Sequence, residues 1–99
     1  MENEKWILTS EYKDTCIAIL QENLVALRSK AKLSQEKMAA LIGVSRQTYY
    51  GVETGKNKMT WLMCIALIFY FNKMDATREM LNDMKIYPIE LVMGLNDKL

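Results

Sequence analysis

This 99-residue chain has no histidine, one proline and two cysteines. Without histidine, no zinc site of mixed Cys/His type can be completed, and neither cysteine belongs to a Cys-x-x-Cys unit. Cys16 and Cys64 each stand alone inside an apolar run. They read as buried free thiols, which suits a reducing, cytoplasmic setting. The start, Met-Glu-Asn-Glu-Lys, is acidic and lacks the apolar core of a signal peptide. The longest apolar run, Trp61 to Phe71, has 11 residues and is too short to span a bilayer. There is no nucleophile elbow, no glycine-rich phosphate loop and no carboxylate cluster at metal-ligand spacing. No catalytic residue, cofactor, metal or membrane association is therefore expected. Internal repeats and low-complexity stretches are also lacking.

What the chain does have is enough apolar material, 51% against 25% charged residues, for one globular domain with a single core. Its net charge is only +1, yet the charge is unevenly spread. Residues 1–27 carry a net −3, residues 28–58 a net +5, and residues 59–99 a net −1. A polyanion such as a phosphate backbone would be drawn to the central third; the plainer alternative is a solvated basic face.

That basic third contains two helix starts, Ser34-Gln35-Glu36 and Ser45-Arg46-Gln47, with Gly43 between them. A serine at the N-cap accepts a hydrogen bond from an otherwise unpaired N–H of the first turn. The spacing predicts one short helix over residues 35–42 and a second over 46–54. Gly43 supplies the positive φ of a tight turn between them. Met38, Ala39 and Ile42 fall on one face of the first helix, Val44 closes the turn, and Tyr49 and Val52 face inward from the second. Arg46, Gln47, Thr48, Tyr50 and Gly51 are left pointing outward. Two helices joined this way can present the second to a DNA major groove; an ordinary helical hairpin with a solvated face is the alternative.

From about Leu24 to Phe71 the chain resembles the helix-turn-helix domain of lambda-repressor and Cro-like regulators. The matching residues are Leu27-Arg28, Leu33-Ser34-Gln35-Glu36, Ala39, Ile42-Gly43-Val44-Ser45, Glu53 and Gly55. The resemblance implies an all-α, five-helix fold that binds double-stranded DNA and regulates transcription in a bacterium or mobile element. It implies base reading by Arg46 and Gln47, with Tyr50 and Gly51 at the adjoining positions. Arg suits guanine O6 and N7, and Gln suits adenine N6 and N7. Gly51 stands where relatives often carry a longer polar reader, so contacts there are expected to be reduced. Ser34, Gln35, Ser45, Thr48, Lys56, Asn57 and Lys58 are the candidates for phosphate contact. Arg28 and Glu53 correspond to a structural ion pair that holds the second motif helix in place.

Around this centre the chain divides into an N-terminal extension (1–15), the helix-turn-helix domain (16–74), and a C-terminal helix and tail (75–99). Periodicity through Ile17, Leu20, Leu24, Leu27 and Ala31 predicts one helix from about Ser10 to Lys32. Thr60 is placed to cap a fourth helix reaching about Asn72, and Asp75 or Thr77 a fifth. Pro88 opens a final segment that suits strand or helix equally, and Trp6-Ile7-Leu8 is either a short strand or a docking segment.

The fourth helix departs from the family, which tends to place polar groups where Leu62, Ala66 and Phe69 stand. An all-round apolar helix has to be covered. Three covers are open: the Trp6 segment or the last 25 residues, a second subunit in a homodimer, or another protein partner. The reading that leads is a sequence-specific repressor. The reading behind it is an antitoxin-like or anti-repressor module that binds protein through the fourth helix and the C-terminal segment.

Overall fold

A computed structural model describes residues 8–85, which form six helices and no strand. They are α1 (Ser10–Glu22), α2 (Leu24–Lys30), α3 (Gln35–Ile42), α4 (Arg46–Glu53), α5 (Trp61–Lys73) and α6 (Asp75–Met84). The fold is all-α, as expected, with one helix more than the periodicity predicts. The extra count comes from Asn23, where the expected single helix divides into α1 and α2. Its backbone leaves helical geometry at φ −101°, ψ 8°. Its side chain donates to the Ile19 carbonyl at 2.8 Å, alongside its own N–H at 3.2 Å, a local side-chain bond that competes with the helical ladder. The apolar spacing continues across the break, so periodicity alone does not reveal it.

Four helices start on hydroxyl caps. Thr9, Ser34, Ser45 and Thr60 accept from the N–H groups of Tyr12, Lys37, Thr48 and Met63 at 3.0–3.1 Å. The N-cap of α6 is Met74, with no side-chain bond, so neither Asp75 nor Thr77 caps that helix. Thr77 is instead fully buried and donates to the Phe71 carbonyl at 2.7 Å. Arg78 donates to the carbonyls of Asn72 and Lys73. Together the two side chains satisfy carbonyls that the end of α5 leaves without helical partners.

The turns that lead into and out of α3 close alike. After α2, Lys32 donates to Ser29 and Leu33 to Arg28; after α3, Gly43 donates to Ala40 and Val44 to Ala39. Both are Schellman closures, each with a half-buried apolar residue, Leu33 or Val44, packed just beyond. Gly43 takes the left-handed conformation at φ 80°, while at the first turn a lysine, Lys32, takes it at φ 60°.

One core joins all six helices. Cys16, Ile17, Leu20, Leu24 and Leu27 line α1 and α2; Met38, Ala39, Tyr49 and Val52 come from α3 and α4. Met63, Cys64, Leu67, Ile68 and Phe71 of α5 and Leu81 of α6 complete it. Each fully buried Leu contributes about 1.5–3 kcal/mol relative to exposure. This leaves α5 with a second, open side: Leu62 is 80% and Phe69 54% exposed, with Ala66 half-buried between them. Lys73 lies over the Phe69 ring at 5.7 Å. No described residue supplies the expected cover. Trp6 and the tail beyond Lys85, including Pro88, lie outside the described residues. None of the described helices is long and apolar enough to cross a membrane.

Candidate nucleic-acid interface

The orientation of α4 is set by Glu53 at its C-terminal end. Arg28 Nε and Nη2 donate to the two Glu53 carboxylate oxygens at 2.8 and 2.9 Å, a bidentate pair. The third guanidinium nitrogen, Nη1, donates to the Leu33 carbonyl at 2.9 Å. Gln35 adds a bond to Glu53 Oε1 at 2.9 Å. One arginine thereby ties α2, the turn before α3, and α4. Burial on its own would raise the Glu53 carboxyl, but hydrogen bonds from Arg28 and Gln35 outweigh it and hold it below the ordinary range. Arg28 is pushed up by its bond to Glu53. Tyr49 packs beneath the pair with its hydroxyl close to Glu53 but short of hydrogen-bond geometry, and burial raises its pKa.

A second tie fixes the chain that leaves α4. Gln21 of α1 donates through Nε2 to the carbonyls of Val52 and Asn57, both at 2.8 Å. Its Oε1 accepts from the Met59 N–H at 3.3 Å. One carboxamide uses both donors and its acceptor to hold the loop over residues 54–59. The sequence reading missed Gln21, since its partners are main-chain groups 31–38 positions away.

With α4 and its loop held, Arg46, Gln47, Thr48 and Tyr50 are all exposed on the outer face. Arg46, Gln47, Tyr50, Gly51, Lys56 and Asn57 line one open hollow. A second hollow at the start of α3 gathers Arg28, Ser34, Gln35, Glu36 and Arg46. It lies at the N-terminus of α3, an end of a helix that favours an anion.

Gly51 does not point outward as expected: it is buried, and the reason is Asn57. The Asn57 N–H donates to the Gly51 carbonyl at 2.9 Å. A Cβ added at Gly51 would run into the Asn57 carboxamide, whose Cγ lies 3.2 Å from that point. Gly51 therefore contributes room and not a reading group.

The phosphate candidates divide. The Ser45 hydroxyl is used twice within its own cap, accepting from the Thr48 N–H and donating to Thr48 Oγ1 at 2.9 Å. Its proton is spent there, which leaves Thr48 with the hydroxyl proton able to meet a phosphate. Ser34 accepts from Lys37 and keeps its own proton to donate. Gln35 has given one amide hydrogen to Glu53 and retains the other. Lys56 is exposed. Lys58 meets Asp14 at 3.5 Å with both side chains mostly in water, a pair too weak to withhold it from a phosphate. Leu62, Ala66 and Phe69 sit apart from this set, on α5.

Residues 24–60 match the model of a protein family described as Helix-turn-helix. No curated protein and no solved structure matches the chain.

Proposed function

We propose, from the match of residues 24–60 to the helix-turn-helix family, that the protein is a sequence-specific repressor that binds duplex DNA as a homodimer. The observation that carries the reading is the outer face of α4. Arg46 and Gln47 are exposed at its first turn while Arg28, Glu53 and Gln21 hold the helix from behind. Guanidinium and carboxamide groups on a rigid helix match the donor and acceptor edges of guanine and adenine in the major groove. Exposed Lys56 and Lys58 and the start of α3 supply phosphate contacts on either side. In this reading Arg46, Gln47 and Tyr50 face bases, and occupancy of the site represses.

One eight-residue helix reads few base pairs, so two-fold pairing of domains on half-sites about 34–36 Å apart supplies the rest of the specificity. The exposed stripe of Leu62, Ala66 and Phe69 is the surface that favours a partner. The same stripe supports the second reading, a module that binds another protein. The test is duplex binding measured against salt, together with solution mass. A repressor shows a steep loss of affinity with salt, a preferred site recovered from random duplexes, and twice the chain mass. A protein with no salt-dependent affinity for any duplex is not a DNA-binding regulator.

A further inference from the structure

We propose that Asn57, in the loop after α4, is a base-reading residue specific for adenine, taking the place on the recognition surface that Gly51 vacates. The proposal rests on the DNA-binding reading above and replaces the expectation that Asn57 contacts only phosphate.

Gly51 lies one turn beyond Gln47 on α4, on the strip of the helix that carries the base-facing groups. With hydrogen in place of a side chain, it lets the loop fold back. Asn57 lies over it: its Nδ2 comes nearest to where a Gly51 Cβ would stand, with Cγ and Cβ at 3.2 and 3.8 Å from that point. The carboxamide thus covers the site at which a side chain from residue 51 would emerge. It does so in the same hollow as Arg46, Gln47 and Tyr50.

Asn57 is also held in a way that an adventitious loop residue is not. Its N–H is bonded to the Gly51 carbonyl and its own carbonyl to Gln21. Both main-chain groups are committed, while no hydrogen bond from another described residue engages the exposed carboxamide. A fixed backbone with an open carboxamide is preorganised for recognition. Its carbonyl oxygen and amide NH2, side by side, match adenine N6 and N7 in the major groove. A phosphate needs only charge or a donor, and the neighbouring Lys56 and Lys58 already supply both.

The test selects sites from random duplexes with the wild type, Asn57→Ala, Asn57→Asp, Gly51→Ala, and the Gly51→Ala/Asn57→Ala pair, with thermal unfolding as a control on the fold. The wild type recovers a site with an adenine preference that Asn57→Ala loses at that position alone, by about 5- to 100-fold, with the salt slope unchanged. Asn57→Asp moves the preference there toward cytosine, whose N4 donates to a carboxylate. Gly51→Ala pushes the carboxamide aside and erases the same preference, and the double variant is no worse than either single one. If Asn57→Ala weakens binding to all sequences alike, or Asn57→Asp leaves the base preference at every position unchanged, the assignment is overturned. A wild type that selects no sequence overturns the DNA-binding reading itself, a separate failure.

Discussion

Glu53, at the last turn of α4, meets Arg28 of α2 through two hydrogen bonds of 2.8 and 2.9 Å, and its side chain is only 4% exposed. Arg28 retains 17% exposure. The pair therefore lies at the edge of the core, where loss of either member strands the other without full access to water. Its position between α2 and α4 makes it the control on how the outer face of α4 is aimed.

Glu53→Ala is expected to destabilise the fold by about 3 kcal/mol, the lower end for a buried pair because Arg28 can reach solvent. That lowers Tm by more than ~10 °C. The pH dependence follows from the depressed Glu53 carboxyl. The folded state binds this proton less readily than the unfolded state. Its stabilisation is therefore complete above the ordinary value of 4.5 and lost as pH falls through the lower folded value. Urea midpoints measured through the acid range will fall less steeply in Glu53→Gln than in the wild type; parallel curves would refute the assignment.

Arg46 and Lys56 are exposed on one hollow but are expected to act differently. Arg46→Ala or Gln47→Ala should each cost about 1–3 kcal/mol at the preferred site and relax the base preference at one position. Lys56→Ala should weaken all sequences equally and reduce the salt slope by about one. Competition binding at several salt concentrations separates the two; equal loss of specificity in both would remove the distinction.

Gln21→Ala leaves the carbonyls of Val52 and Asn57 and the Met59 N–H without their shared partner. The expected cost is about 1–3 kcal/mol. Amide exchange should quicken in the loop over residues 54–59 before it does in α1. If protection falls first in α1, Gln21 serves its own helix and not the loop.

What was legible in the sequence follows the range of each interaction. The caps at Ser34, Ser45 and Thr60 act on N–H groups three residues on, so local spacing identifies them. The Arg28–Glu53 pairing came from the family resemblance, since nothing local links positions 25 apart. Gln21 was illegible because main-chain acceptors leave no side-chain signal. Gly51 was misjudged because a helical wheel shows its angle but not a loop folding back over it. Asn23 was missed because the apolar stripe runs on through the break.

Cys16 and Cys64 are both buried and unbridged. Burial pushes the Cys64 thiol up to about 12, with Cys16 adding to the shift, and burial also raises Cys16. Thiolate, the reactive form, is then scarce at neutral pH. Neither thiol should react with a thiol reagent such as an aromatic disulfide in the native protein at pH 8, while both react in denaturant. One rapidly titrating thiol in the folded protein would contradict the burial.

Leu62 and Phe69 provide the test of what covers α5. Their exposure within residues 8–85 means that aspartate at both positions meets water in an isolated domain and costs it little. If a second copy covers the stripe, Leu62→Asp/Phe69→Asp sediments at the mass of one chain, keeps its helical circular dichroism and binds DNA more weakly. The weakening arises because a single domain no longer gains the effective concentration of a linked half-site. If the stripe is covered within the same chain, the aspartates are buried and the protein loses helical signal at ordinary temperature. A double variant that keeps the wild-type mass and affinity would show that neither cover exists, and the homodimer would have to be built on another face.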